Sequence, residues 1–218
     1  METTTVNTNV GHAQKVRRLI VDTATDIIET DGQDALSMRS LASQIDLSPA
    51  ALYKYFDGKE AILEEVRQRA LIRMSQSFAA TEKLHSNPLE DVRNACRTLL
   101  EFAISQPELY MLIYERHDHQ RPDYKKIFNT FHFRYMQDKL RRARRAGLLH
   151  LPNGFTEELL VMQLWTCIHG CVTLRHSLMA GEPIFQQVSE HMLETMLDNL
   201  ENPGDDWSVP RGSAAEID

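Results

Sequence analysis

The chain has 218 residues and 25.1 kDa, with 42% hydrophobic, 25% charged and 7% aromatic residues, a composition that buries a core and excludes a disordered or fibrous chain. Its 24 lysines and arginines against 31 acids give a net charge of −7 and an isoelectric point near 5.7, which argues against a protein that coats nucleic acid through a basic surface. Cys96, Cys167 and Cys171 are too few and too odd in number for a disulfide scaffold, and no apolar leader opens the sequence, so the expected setting is a reducing cytoplasm.

Residues 1–11 are polar and patternless, and a loose arm is expected there. Val16, Leu19, Ile20, Ala24, Ile27 and Ile28 then recur at three-four spacing, with Gly32 as a stop. Ser37 caps a short helix to about Gln44, and Ser48-Pro49 opens another in the cap-then-proline order. Asp57 caps the next, in which Ile62, Leu63, Val66, Ala70 and Met74 keep the period. Pro88, Pro107, Pro122 and Pro183 fall near later helix starts, and Gly147, Gly154 and Gly181 at or near ends. The uncharged run Leu159–Leu174 is too short and too polar for a membrane span and reads as a buried helix. From 202 onward a loose tail is expected. No stretch alternates with period two, so the expected fold is all-α, with about nine helices.

Function is legible in Ser37–Phe56. Two short helices flank the turn Ile45-Asp46-Leu47, with Leu41, Ile45, Leu47 and Leu52 placed to lock the pair and Ala42 small enough for a close crossing. Asp46 falls where the turn needs a left-handed residue, which aspartate tolerates better than most. The pattern is a helix-turn-helix, whose second helix enters the major groove. Ser48 leaves a hydroxyl and free N–H groups suited to a phosphate oxygen. Pro49 and Ala50 are small enough for base edges to approach. Tyr53, Lys54 and Tyr55 offer two phenols and a cation within one turn, and Lys59 opens the next helix.

The run Leu-Ser-Pro-Ala-Ala-Leu-Tyr-Lys-Tyr-Phe-Asp-Gly-Lys-Glu-Ala-Ile62 resembles the recognition helix and following turn of TetR-family transcriptional regulators. Tyr53, Tyr55, Phe56, Lys59 and Glu60 fall on that family's pattern, whereas Asp46 stands where it usually has glycine. The resemblance implies a homodimer that binds palindromic operator DNA and releases it when a small molecule binds, with residues 12–57 as the DNA-binding unit and 58–201 as a helical ligand-binding and dimerisation domain. It carries phosphate contact to Ser48, Tyr53, Tyr55 and Lys59. Base reading falls to Pro49, Ala50 and Lys54, with Arg39 as a neighbour able to reach the groove. An all-helical interaction module without DNA is the alternative.

In the C-terminal two-thirds, Trp165, His169 and Gly170 form Trp-x-x-x-His-Gly, which resembles a motif in the regulatory domain of one branch of the family. At i, i+4 spacing Trp165 and His169 share a helix face and offer a ring and a hydrogen bond to a ligand, although a core histidine and a glycine at a close helix crossing fit as well. Met111, Tyr114 and Phe131 join them as expected pocket residues. Val188, Met192, Leu193, Met196, Leu197 and Leu200 make a stripe wide enough for a partner as well as a core. Cys167 and Cys171 read as inert small hydrophobes before redox sensors, and His117 and His119 lack a clear third metal ligand. The basic segment 121–145 reads as a solvated face, with the acids from 182 onward as candidate partners. No nucleophile elbow, Gly-rich phosphate loop, His-Glu-x-x-His or Cys-x-x-Cys is present, so neither enzyme chemistry, a cofactor nor a metal is expected.

Overall fold

The computed structural model describes residues 4–82, 87–114, 130–151, 155–178 and 182–201. Among these residues the chain forms nine α-helices and one 3-10 turn, Gln33–Ala35, and no strand. The helices are α1 Thr4–Asp31, α2 Met38–Gln44, α3 Pro49–Leu52, α4 Lys59–Thr81, α5 Pro88–Ser105, α6 Pro107–Tyr114, α7 Phe131–Arg145, α8 Glu157–Leu178 and α9 Pro183–Glu201. The expected all-α fold is present. The expected tail from 202 and the loop holding His117 and His119 lie outside the described residues.

The arm expected over residues 1–11 gives way to helix from Thr4. No proline interrupts that stretch, and a side chain at Gly11 would meet nothing within 4 Å. A helix already nucleated over the apolar segment that follows extends backward at little cost, even through threonine and asparagine.

The helices pack into two compact units that are discontinuous in sequence. Residues 4–77 and 102–114 build the first; residues 78–82, 87–101, 130–151, 155–178 and 182–201 build the second. A linear cut after residue 57 therefore does not follow the packing. Ile62, Leu63, Val66 and Ala70 of α4 and Leu109 and Leu112 of α6 share one core with the helix-turn-helix. One long and two short helices alone bury too little apolar surface to stand by themselves, so the head borrows its floor from α4 and α6.

In the first unit, α1 turns Ile20, Val21, Ala24, Ile27 and Ile28 inward at the spacing of a helix face. It stops where expected: Gly32 takes φ 80° and donates its N–H to the Ile28 carbonyl at 2.9 Å. A Cβ there would lie 3.1 Å from Glu108 Oε2, a contact that the end of that side chain can relieve, so it is the positive φ that calls for glycine. Ser37 opens α2 through a reciprocal cap, its hydroxyl accepting from the Ser40 N–H while its own N–H donates to Ser40 Oγ, both at 3.0 Å. The α2–α3 turn closes with the Ile45 and Leu47 N–H groups both on the Ala42 carbonyl, at 3.3 and 3.0 Å. Between them Asp46 takes φ 53°, the left-handed conformation expected of it. Asp46→Gly is accordingly expected to raise the stability of this unit by about 0.5 kcal/mol, the relief of left-handed strain outweighing the added freedom of the unfolded chain, as read from a urea titration.

The second unit buries Phe133, Met136, Leu140 and Ala143 of α7, Leu160, Leu164 and Ile168 of α8, and Phe185, Leu193, Leu197 and Leu200 of α9. Its polar ties are specific. Arg93 of α5, 7% exposed, donates to Glu194 at 2.7 Å and Asp198 at 2.6 Å on α9. Lys139 reaches Glu82 at 2.7 Å, and Arg142 reaches the buried Asp91 at 2.9 Å. Within the described part of the basic segment, Lys139, Arg141, Arg142 and Arg144 pair with Glu82, Asp138, Asp91 and Glu157, while Glu194 and Asp198 of α9 are bound by Arg93 and Arg97.

Candidate nucleic-acid interface and effector site

Helix α3 is only four residues long, but its hydrogen bonding runs on. The Tyr55 and Phe56 N–H groups both donate to the Leu52 carbonyl, at 2.9 and 3.1 Å, so one helical turn continues to Phe56. Leu52 is the buried residue of α3, and Phe56 is 3% exposed. The helix is thereby pinned by its C-terminal half, and its N-terminal half stands clear. Ser48, Pro49, Ala50, Tyr53 and Lys54 are exposed, as is Arg39 on α2. Tyr55 and Lys59 are half-buried, and Tyr55 also packs on the core. Ser48 Oγ accepts the Ala51 N–H at 3.2 Å, which caps α3; Pro49 has no N–H, so the Ser48 hydroxyl hydrogen and the Ala50 N–H are the donors left at this end of the helix. Helix α4 begins at Lys59, one residue later than an Asp57 cap implies, with Gly58 at φ 151° before it.

Arg17 is not available to a phosphate: its guanidinium donates to the Tyr55 carbonyl and to Glu65, both at 2.7 Å, and lies 4.0 Å over the Phe56 ring. It braces the end of the reading helix, a role that its basic side chain alone did not reveal. Asp22 and Glu29 are consumed by Arg69 and Arg73 of α4, which removes two carboxylates from the electrostatic balance of the head. The exposed part of α3 is small and polar and carries Lys54, with Arg39 exposed on α2 and the acids Asp46, Asp57 and Glu60 exposed at its flanks, so its cations act locally and not as a basic surface.

The expected effector residues are distributed over both units. Trp165 and His169 are brought together, their rings stacked at 4.8 Å and 18°. Met111 and Tyr114 belong to α6 in the first unit, where Met111 is buried and Tyr114 packs on Tyr110 with centroids 4.7 Å apart. Phe131 is 52% exposed and stacks on Tyr135 at 5.7 Å, while Phe133, two residues on, meets Trp165 at 5.9 Å. The helical turn, invisible to a list of aromatic residues, decides which phenylalanine faces α8. Gly170 is exposed, and a Cβ there would meet nothing within 4 Å, so it serves no close crossing among the described residues. All three thiols are free, and burial pushes Cys167 upward and Cys96 up to about 12, so neither is primed for thiolate chemistry. Among the described residues no group of three or more His, Cys, Asp and Glu side chains can hold a metal ion, and no helix is long and apolar enough to cross a membrane.

Sequence reasoning missed His132. It is 7% exposed on α7, and burial alone holds its imidazole down at about 4, against the ordinary 6.5. Above pH 6.5 the group is neutral in both folded and unfolded chains. Between 6.5 and about 4 the unfolded chain takes up a proton that the native state refuses, so stability falls with pH. Urea unfolding at pH 7 and pH 4.5 is expected to differ by about 2–3 kcal/mol from this group, and the difference shrinks by that amount in His132→Phe.

A helix-turn-helix head with a short, exposed second helix, and a second helical unit, with no strand among the described residues, is the architecture of a helix-turn-helix transcriptional regulator. The chain belongs to the tetR family of bacterial regulatory proteins: residues 20–66 match the model of that family, and residues 92–200 match the tetracyclin repressor-like C-terminal domain. The chain is 28% identical over 103 residues to the uncharacterized HTH-type transcriptional regulator YobS of Bacillus subtilis, covering 46% of this chain and 51% of YobS. It thus matches about half the length of that curated relative, and 44% of another, the nucleoid occlusion factor SlmA of Mannheimia succiniciproducens. In fold it is similar to the TetR-family transcriptional regulator PfmR of Thermus thermophilus, with TM-score 0.62 and 21% identity over 84% of this chain and 98% of PfmR. It is also similar to a Saccharomonospora viridis protein solved in complex with choline, with TM-score 0.66 and 18% identity over 87% of this chain and 97% of that one.

Proposed function

We propose that the protein is a cytoplasmic regulator, not an enzyme, that binds a palindromic operator as a homodimer and leaves it when a small molecule occupies the second unit. The observation that carries this reading is the exposed N-terminal half of α3, where Pro49 and Ala50 clear a path to the groove and Tyr53 and Lys54 flank it. On this reading Pro49, Ala50 and Lys54 read bases, with Arg39 beside them, and Ser48, Tyr53, Tyr55 and Lys59 hold phosphates. Homodimerisation supplies the second reading head that a specific operator of two half-sites requires. For release, the effector must bind one conformation better than the other; a coupling of about 1–3 kcal/mol shifts operator affinity about 5–150-fold. The choline held by the S. viridis protein supports a small-molecule site in this fold. Trp165 and His169 remain candidates to line one.

The test is a footprint and gel shift on the DNA upstream of the chain's own gene. Lys54→Ala is expected to lower discrimination between operator and random DNA by about 1–3 kcal/mol, whereas Lys59→Ala weakens all sequences alike and flattens the salt slope by about one. Unchanged footprints in both variants would overturn the groove assignment.

A further inference from the structure

The buried imidazole on α7 is a polar group left unmatched among the described residues. His132 is 7% exposed, and its Nε2 has no hydrogen-bond partner among those residues. Folded proteins rarely leave such an atom unpaired, because burial strips its water and returns nothing. Its surroundings are rings. Phe78, from the last turns of α4, lies 5.6 Å from His132 and 5.2 Å from Tyr135, both tilted to it. Phe131 meets His132 edge-on at 5.6 Å, stacks on Tyr135, and is 52% exposed. The rings therefore run from a buried nitrogen to solvent, apolar along their length with a hydrogen-bonding group at the inner end.

The charges beside this row are already spent. Lys139 is bound by Glu82 at 2.7 Å with its ammonium 4.7 Å from the Tyr135 ring centroid, and Arg142 is bound by Asp91. A charged ligand would have to break one of these pairs and leave a buried ion alone, which is strongly unfavourable. A neutral planar molecule breaks no ion pair: it enters by parting the rings and replaces their contacts with its own. A hydroxyl suits Nε2 whichever imidazole tautomer is present, since it both donates and accepts.

We propose that His132 is the hydrogen-bonding end of a site for a neutral aromatic hydroxyl compound, entered past Phe131. This rests on the reading of the second unit as an effector-binding unit and gives that effector a chemical class. Phe78 lies on α4, the helix that starts at the reading head, so a ring inserted beside it acts on the element leaving that head.

The probes are 2-naphthol and naphthalene, used on the full-length protein by thermal shift and tryptophan fluorescence titration. In the wild type 2-naphthol is expected to bind about tenfold tighter than naphthalene, the worth of one buried hydrogen bond. His132→Phe, which fills the space without a polar atom, should fold with undiminished stability at pH 7 and bind the two probes alike; His132→Gln should restore part of the preference. No binding of 2-naphthol to the wild type, or an equal preference in wild type and His132→Phe, overturns the proposal. Operator binding separates the two readings. If 2-naphthol binds through His132 but leaves operator affinity unchanged, the site stands and ligand release fails. If 2-naphthol releases operator from His132→Phe as from wild type, release stands and His132 is not its contact.

Discussion

Aspartate at both Val188 and Met192 is expected to leave the protein monomeric at micromolar concentration while its helices stay intact. On α9, Ile184, Val188 and Met192 follow at four-residue spacing and are 58%, 45% and 48% exposed in the single chain. Single exposed apolar side chains are ordinary, but three large ones aligned on one face ask for a partner. Leu159 and Leu174 of α8, 48% and 50% exposed, add to the case. Two carboxylates forced into a desolvated contact cost about 2–4 kcal/mol each, enough to raise a dimer constant about a thousandfold or more. Operator affinity should fall with it, because one reading head contributes half of the contacts. Sedimentation that still shows a dimer would place the interface elsewhere. Leu197→Asp is the informative contrast: Leu197 is 2% exposed within its own unit, so its replacement unfolds α9 instead of separating intact subunits.

That contrast shows where sequence periodicity stops. The stripe from Val188 to Leu200 was legible as apolar, and so was its excess width for a core. What could not be read was the division of the stripe, because a 3.6-residue period fixes which residues share a face but not what covers that face. The helix-turn-helix was legible almost residue by residue, since caps, turn and packing are local: Ser37, Asp46, Ser48 and Gly32 all do what their chemistry suggests. Its floor was not, because Leu109 and Leu112 arrive from more than forty residues beyond Ile62, and nothing local announces a contact of that separation. The same holds for Arg17, whose partners Tyr55 and Glu65 lie 38 and 48 residues away. His132 stands in no motif; burial makes it notable, and burial is a tertiary fact.

The reading head should fail at one residue. Leu52→Ala is expected to abolish operator binding, lowering affinity more than about a hundredfold, while the dimer and the second unit persist. A four-residue helix cannot sustain itself in water, because nucleation costs more than so few hydrogen bonds return. Helix α3 therefore exists by its tertiary anchors, and Leu52 is its own buried one, 0% exposed and packed among Leu41, Ala42 and the α4 residues of the same core. Truncating a fully buried leucine costs about 2–5 kcal/mol, here taken from the one element that must hold its angle to the groove. Phe56 and the Arg17 brace grip the far end of the turn, so what frees itself first is the N-terminal half that carries Pro49 and Ala50. Tyr53→Ala is the matched control: the side chain is 57% exposed, its loss should move stability by no more than about 0.5 kcal/mol, and any loss of DNA binding then reports the phenol itself. Gel shift and sedimentation on the same samples decide the matter. A Leu52→Ala dimer that still footprints the operator would mean that α3 is not the element that reads it.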